Sequence, residues 1–308
     1  MRIVFVGGVE LGRACAEALL QGKREIAGIF CLPGSQSGRS GYADFSPLGK
    51  KYRVPVFKYE DINHAEAVEK MRQLAPDLLL VIGWSGIIGD ELLAIPRLGT
   101  IGHHPTLLPK HRGNAPIPWT LINGLSKSGV TLFFLEKEID RGDIAGQAEF
   151  EISIDDDALR VYEKATRATL ALLPRVLSDL EAGKLERIKQ DPAKASRWGK
   201  RKPEDGIIDW NCMAVNTHNW VRGLSHPYPG AFTFYAGKKL FIWKARLSTE
   251  KGAGKAQPGE VLESGKKLLV RCGDGALEIS RMQPEGGKEG DASQVASAIG
   301  LKKGDRLG

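Results

Sequence analysis

The sequence predicts an α/β protein with a doubly wound, mostly parallel sheet, followed by a smaller β-rich domain that resembles an OB fold. In the first half, short apolar runs alternate with segments whose apolar residues recur at helical spacing. One of these runs, DLLLVIGW at residues 77–84, is continuously apolar, which is typical of a parallel strand buried on both faces. A sheet of this kind binds ligands at the carboxyl ends of its strands.

The elements of the first half follow one another in βαβ order. Asn63 and Glu66 have the spacing of a capping box and predict the start of a helix. An Asp-rich first turn and a Gly-Lys end delimit one long helix. Strands are predicted at residues 2–7, 25–31, 77–84, 100–104 and 130–136, and helices at 11–22, 65–75, 115–124 and 155–184.

The second half changes character after a polar segment rich in Lys, Pro and Gly. This segment, residues 189–206, predicts a linker between a catalytic domain at 1–188 and a β domain at 207–308. Alternating apolar runs fill the second domain after one helix, and Asp274-Gly275 predicts the turn of a hairpin. So many short strands favour closure into an OB-like barrel.

Composition excludes several classes of protein. None of the apolar runs in the 308 residues approaches the ~20 residues of a membrane span, and the N-terminus has no secretory leader, which predicts a cytoplasmic protein. The four cysteines form no CxxC pair, so we expect neither a metal site nor disulfides. The glycines at 7, 8 and 12 do not make the GxGxxG fingerprint, which argues against NAD.

The net charge of +7 is modestly basic. Residues 201–308 hold 17 Lys and Arg against 12 Asp and Glu, so most of the excess lies in the second domain. A surface of this kind suits phosphate, carboxylate or RNA ligands, and it is equally consistent with a solvated basic face.

Two adjacent histidines mark the candidate site. His103 and His104 follow Gly102 at the end of the predicted strand 100–104, and alternation turns only one of them to a given face. Asp140 follows another predicted strand and could meet a histidine across neighbouring strand ends. A carboxylate beside an imidazole orients the ring and favours its protonated form, which is what general acid/base chemistry requires.

The motifs around these residues resemble those of the folate-dependent formyltransferases. The stretch HHPTLLPKHRGNAPIPW is similar to the family signature HxSLLPxxRGxxPxxW, and EIDRGDI is similar to its DxGxI element. In the second domain, four motifs resemble the sugar N-formyltransferases in particular: RKPEDGIIDW, VRGLSHPYPGAF, AQPGEV and CGDGALEI. The resemblance covers essentially the whole chain.

The resemblance implies transfer of a formyl group from N10-formyltetrahydrofolate to an amine. The family's catalytic His and Asp correspond to His104 and Asp140, but its catalytic Asn corresponds to Gly102. Loss of one oxyanion donor typically costs about 10²- to 10³-fold in rate. A backbone N–H or water admitted by the glycine, or the side chain of His103 or Asn114, could supply the missing hydrogen bond.

The resemblance also implies where the folate binds. The donor is expected along the turn WSGIIGD and the segment EKEID, with Lys110 and Arg112 placed either for an anionic group or on a merely basic loop. The expected folate contacts are Gly86, Ile87, Ile88, Asn114, Glu136, Lys137, Glu138 and Ile139.

Three functions remain open at this point. The second domain favours an acceptor that is a nucleotide-linked amino sugar. Formylation of methionyl-tRNA is the alternative within the family, but the loop at residues 32–51 lacks the Lys/Arg cluster that an RNA grip requires. The glycine at 102 raises a third possibility, a non-catalytic relative that binds folate or nucleotide. The sequence does not indicate an oligomeric state.

Overall fold

A computed structural model describes residues 1–249 and 256–308. The chain divides into two compact units, each assembled from three segments. The first unit comprises Met1–Pro116, Lys127–Glu151 and Tyr162–Gly199, and the second comprises Ile117–Ser126, Ile152–Val161 and Lys200–Gly308. The boundaries expected at 188 and 206 stay a prediction.

The first unit is built on a seven-stranded sheet in the order β3-β2-β1-β4-β5-β7-β8. Five neighbouring strands are parallel, and β7 and β8 are antiparallel additions at one edge. This confirms the doubly wound, mostly parallel prediction. The strands are β1 (Ile3–Gly7), β2 (Ile26–Cys31), β3 (Val56–Lys58), β4 (Leu78–Val81), β5 (Thr100–His104), β7 (Lys127–Phe134) and β8 (Ile144–Glu151), and a short strand β6 (Arg112–Gly113) pairs with β9 (Arg197–Trp198) outside the sheet.

Strands β1 and β4 are buried along their whole length, as their continuous apolar runs predict. The helices that follow the strands bury one apolar face each, for example Val68 and Met71 of α3. The α-helices of the described residues are α1 (Glu10–Gln21), α2 (Ser46–Tyr52), α3 (Ala65–Leu74), α4 (Asp90–Leu93), α5 (Pro116–Ile122), α6 (Ala158–Glu181), α7 (Ala214–Leu224) and α8 (Ala292–Ala298).

The capping-box prediction at α3 is wrong. The helix begins after His64, and no side chain caps it. Asn63 instead donates from Nδ2 to the Ile87 carbonyl at 2.9 Å and accepts the Gly89 N–H at 2.6 Å. The Asn63 amide therefore bonds to the loop after β4 instead of capping α3, and these bonds fix that loop.

The second unit contains an antiparallel sheet in the order β10-β11-β14-β13-β12, and β15 pairs with β14. Its Asp274-Gly275 turn joins β13 to β14, which confirms the predicted hairpin. Closure into an OB-like barrel stays a prediction. The strands are β10 (Ala231–Tyr235), β11 (Lys238–Leu247), β12 (Val261–Ser264), β13 (Leu268–Arg271), β14 (Ala276–Pro284) and β15 (Gly290–Asp291).

Two further properties bear on the expectations from sequence. All four cysteines are free, and Cys212 is the exposed one. Among residues 1–249 and 256–308, no helix is both long enough and apolar enough to cross a bilayer.

Candidate active site

The candidate site begins at the last residue of β5. Strand β5 lies between β4 and β7, with Gly102 opposite Val81 on one side and Phe133 on the other. His104 ends the strand and is buried. The alternation of a strand puts Gly102 and His104 on one face of the sheet and His103 on the other.

One hydrogen bond orients the His104 ring. Its Nε2 donates to the His111 carbonyl at 2.9 Å, since a carbonyl oxygen can only accept. The neutral ring therefore carries its lone pair on Nδ1. That nitrogen lies 4.0 Å from Asp140 Oδ2, and the two side chains are only 8% and 13% exposed. The base and the carboxylate thus face each other across a gap that is too long for a direct hydrogen bond.

The Asp140 carboxylate is held by the loop after β5. Its Oδ2 accepts the Gly113 backbone N–H at 2.8 Å. The residue has φ of +58°, a left-handed conformation that is uncommon for residues other than glycine and that the surrounding contacts must maintain. Asp140 therefore has a defined position relative to His104.

A second set of hydrogen bonds fixes the loop between His104 and Gly113. Thr106 donates from Oγ1 to the Lys110 carbonyl at 3.0 Å, and Thr131 of β7 donates to the Thr106 carbonyl at 2.7 Å. Gln147 of β8 donates to the Leu108 carbonyl at 2.8 Å. The loop is consequently tied to the two antiparallel strands at the sheet edge.

Sequence reasoning missed the contribution of residues 189–199, which it assigned to a linker. The His111 N–H donates to Ser196 Oγ at 2.9 Å, and the His111 ring stacks on Trp198 with ring centroids 4.0 Å apart. The pairing of β9 with β6 brings this segment beside the loop that orients His104. The segment therefore forms part of the site.

His103 lies on the opposite face of β5. Its Nε2 donates to Thr169 Oγ1 of α6 at 2.9 Å, because the Thr169 hydroxyl itself donates to the Ala165 carbonyl. Burial, with a smaller effect of the His104 charge, lowers the pKa of His103 from 6.5 to about 3. His103 is therefore a neutral structural residue on the face away from His104, and it is not placed to act as the donor expected beside Gly102.

The low pKa of His103 predicts acid sensitivity. Between pH 6.5 and about 3 the unfolded state binds a proton at His103 that the folded state does not, so stability is lost as pH falls through this window. For His103→Gln, we expect the free energy of unfolding to fall less from pH 7.5 to 5.5 than in the wild-type chain, by about 1.4 kcal/mol. Urea titrations of both proteins at the two pH values measure this difference, and equal losses would contradict it.

The space beside Gly102 is filled by a leucine. A Cβ on Gly102 would stand 2.9 Å from Leu135 Cγ, which is closer than real carbon contacts. Leu135 also packs against the buried residues Leu108, Phe133 and Ile144. Pairing on both sides of Gly102 directs its N–H along the sheet toward the neighbouring strands, so this N–H does not point to the His104 face.

The Gly102–Leu135 contact predicts that an asparagine cannot simply be restored. Gly102→Asn is expected to destabilise the chain by about 1–3 kcal/mol through overpacking, without raising turnover. Combining it with Leu135→Ala should be less destabilising than the sum of the two single changes, by about 0.5–3 kcal/mol. Denaturant titrations of the four proteins measure this coupling.

Either of two results would contradict this prediction. Additive effects would mean that Leu135 does not occupy the asparagine position. A gain of orders of magnitude in turnover for Gly102→Asn alone would mean that the wild-type chain lacks a substitute for the family asparagine.

The two segments expected to hold the folate lie beside each other. Lys137 Nζ is 3.8 Å from Asp90 Oδ2, which links the segment after β7 to the end of the loop after β4. Ile87 is 67% exposed and Ile139 is 51% exposed, so each segment presents an apolar side chain to solvent. Two exposed apolar side chains on neighbouring segments suit a flat aromatic ligand.

The remaining residues expected to contact folate differ in their surroundings. Ile88 is buried in the core, so its side chain is structural. Gly86 lies against Trp84, whose Nε1 would be 2.7 Å from a Cβ at position 86. Glu136 and Glu138 are exposed, and the side chain of Asn114 makes no hydrogen bond within the described residues.

The two cationic side chains of the loop after β5 differ in burial and in hydrogen bonding. Lys110 is exposed, whereas Arg112 is half-buried and donates to Gln190 Oε1 from Nε at 3.1 Å and from Nη2 at 2.7 Å. Among residues 1–249 and 256–308, no group of three or more His, Cys, Asp or Glu side chains is arranged to hold a metal ion.

Comparison with solved structures shows the same fold in several proteins. HypX from Aquifex aeolicus is 20% identical with a TM-score of 0.72, over 99% of this chain and 49% of HypX, so the chain spans about half the length of that protein. An N-formyltransferase from Helicobacter canadensis is 18% identical with a TM-score of 0.65, over 90% of this chain and 97% of its own.

A third structure, the methionyl-tRNA formyltransferase from Clostridium thermocellum, is 18% identical with a TM-score of 0.62, over 82% of this chain and 95% of its own. The sequence itself matches the family described as formyl transferase over residues 1–177, and the formyl transferase C-terminal domain over residues 200–299. The chain belongs to the formyltransferase family.

Proposed function

We propose that this protein transfers a formyl group from N10-formyltetrahydrofolate to the amine of a nucleotide-linked amino sugar. The observation that carries the proposal is the buried pair of His104 Nδ1 and Asp140 Oδ2, 4.0 Å apart, with the other nitrogen of the ring already bonded to a backbone carbonyl. A basic nitrogen held in this way can accept a proton from an incoming amine.

Two relatives support the choice of substrates. The Helicobacter canadensis enzyme is described in complex with folinic acid and dTDP-3-aminofucose, and HypX from Aquifex aeolicus in complex with tetrahydrofolic acid. We take from them a folate donor and an acceptor amine carried on a sugar nucleotide. Methionyl-tRNA is the alternative acceptor, and the test below includes it.

The neighbouring segments at Ile87 and Ile139 fit the folate. Their exposed apolar side chains supply surface for its ring system, and the Asn63 contacts fix the backbone of the first segment. Glycine at 86 leaves room beside Trp84 that a larger residue would take. When bound, the folate supplies an activated formyl group on N10.

In the proposed mechanism His104 moves the proton. As the acceptor nitrogen forms its bond to the formyl carbon, Nδ1 of His104 takes one proton from that nitrogen. The His111 carbonyl keeps the ring oriented, and the Asp140 carboxylate stabilises the imidazolium across the 4.0 Å gap. His104 then gives the proton to the folate nitrogen as the bond from that nitrogen to the formyl carbon breaks.

The oxyanion that develops on the formyl oxygen needs a donor other than residue 102. We propose Asn114 as this donor, because it follows Gly113, whose N–H holds Asp140. Its amide makes no hydrogen bond within the described part of the chain, so it can donate without breaking one. We assign it the role that the family asparagine would have.

The acceptor is tested by an assay with N10-formyltetrahydrofolate and a panel of UDP-, dTDP- and GDP-linked 3- and 4-amino sugars. The same amino sugars without a nucleotide serve as controls, and methionyl-tRNA is included. Mass spectrometry should detect formylation of at least one sugar nucleotide and none of the tRNA. Formylation of tRNA alone, or of no acceptor on the panel, would contradict the proposal.

A further inference from the structure

Gln190, which follows α6, uses all of its hydrogen-bonding capacity at the candidate site. Its Nε2 donates to the Asp140 carbonyl at 2.9 Å and to the Gly142 carbonyl at 2.8 Å. Its Oε1 accepts both Nε and Nη2 of Arg112, at 3.1 and 2.7 Å. The two amide hydrogens and both lone pairs of the amide oxygen are therefore occupied.

These contacts form a closed cycle of hydrogen bonds, here called the ring, that includes the Asp140 carboxylate. Arg112 is bonded to Gln190, Gln190 is bonded to the Asp140 carbonyl, and Asp140 Oδ2 accepts the N–H of Gly113, the residue after Arg112. The loop after β5 is thereby joined to the turn that contains Asp140 twice, directly at Gly113 and indirectly through Gln190. Asp140, whose backbone is left-handed with φ of +58°, is one of the residues that this ring connects.

Only an amide of this length satisfies both sides of the ring. A glutamate could accept from Arg112, but its oxygens would face the carbonyls of Asp140 and Gly142 with no hydrogen to donate. A methionine has nearly the same shape and can do neither. Gln190 thus couples a cation on one loop to two carbonyls on another, which neither variant can reproduce.

We propose that Gln190 is a positioning residue for the formyl-transfer site: it locks the Asp140 turn to the Arg112–Gly113 loop, so that the Asp140 carboxylate stays opposite His104 Nδ1. This inference rests on the proposed function for its effect on catalysis. The geometric part, which is the fixed position of Asp140, does not depend on the proposed function. Gln190 acts through Asp140 and does not touch the reacting atoms.

Two variants test the role of the amide. Gln190→Met removes both sets of hydrogen bonds, and Gln190→Glu retains acceptors for Arg112 while it removes the donors to the turn. Gln283→Met is the matched control, since Gln283 also uses both ends of its amide, with Trp243 and the Gly287 carbonyl, within the second unit.

The first readout does not depend on activity. Hydrogen exchange of the Gly113 amide, which bonds Asp140, should accelerate about tenfold in both Gln190 variants. The Leu108 amide, which bonds Thr131 Oγ1, should keep its wild-type rate. A purely structural role would accelerate both amides together. Equal acceleration, or no change at Gly113, would overturn the proposal.

The second readout is kinetic. A displacement of about 1 Å at a catalytic group can cost about 10²-fold, so we expect kcat to fall about 10²-fold in both Gln190 variants while KM for the acceptor changes little. Gln283→Met should retain the wild-type kcat. Full activity of Gln190→Glu would overturn the role of the donors to the turn. If the wild-type chain formylates no acceptor, the proposed function fails, and selective exchange at Gly113 still supports the positioning of Asp140.

Discussion

Replacing His104 with glutamine is expected to lower formyl transfer by about 10²- to 10⁴-fold, the usual contribution of a general acid/base. The amide of the introduced glutamine could still donate to the His111 carbonyl, as Nε2 of the histidine does, so the loop should keep its structure. It offers no basic nitrogen opposite Asp140. The variant therefore separates proton transfer from the structural role of the His104 imidazole.

The measurement is kcat with a saturating acceptor, together with calorimetric binding of folate. His64→Gln is the control, because His64 is an exposed residue before α3. We expect folate affinity to remain close to that of the wild-type chain in both variants. A His104→Gln variant with wild-type kcat would exclude the proposed mechanism, whichever acceptor is used.

The second large effect is expected at Asn114. If its amide donates to the oxyanion, Asn114→Ala should lower kcat by about 10²- to 10³-fold, the usual cost of losing one such donor. Stability should change little, since the side chain makes no hydrogen bond within the described residues. Asn114→Asp should be at least as damaging, because a carboxylate cannot donate and repels a developing negative charge.

Asn123→Ala is the matched control for Asn114. The Asn123 amide donates to the Trp119 carbonyl one helical turn earlier, and the residue has no part in the proposed mechanism. Its kcat should equal that of the wild-type chain. An Asn114→Ala variant with unchanged kcat would assign the oxyanion to another donor, and the Gly102 position would then require a different explanation.

Much of the fold could be predicted from local pattern. Strand β5 at Thr100–His104 has the predicted bounds, and the continuous apolar run at Leu78–Val81 is a central parallel strand. The pattern of apolar residues predicts these elements because an element buried on both faces has an unbroken apolar run. An element buried on one face has apolar residues at regular spacing. The hairpin at Asp274-Gly275 could also be predicted, from its turn residues.

The features that the sequence did not reveal have a common physical cause, which is competition from contacts distant in sequence. Asn63 has the spacing of a capping residue, but its amide binds the loop at Ile87 and Gly89. Residues 189–199 have the composition of a linker, but Gln190 and Ser196 bond to the loop that carries the site. Local composition carries no information about such partners.

The roles of the candidate site residues stay a prediction, and the structure shows where two of these residues lie. The strand end placed His104, and the carboxylate at Asp140 lies opposite it in the structure. The role of Leu135 was hidden, because its approach to Gly102 depends on the packing of one side chain between neighbouring strands. The resemblance to the formyltransferases implies that Gly102 stands where the family has an asparagine, and the sequence does not show that Leu135 fills the space beside it.

The most direct test of the proposed reaction is the release of tetrahydrofolate from N10-formyltetrahydrofolate by the unaltered chain, with and without an acceptor sugar nucleotide. We predict acceptor-dependent release, matched mole for mole by formylated product, with Gly102 in place. Tight binding of the folate with no acceptor-dependent release for any amine would contradict this prediction, and would indicate that this chain binds folate without performing the transfer.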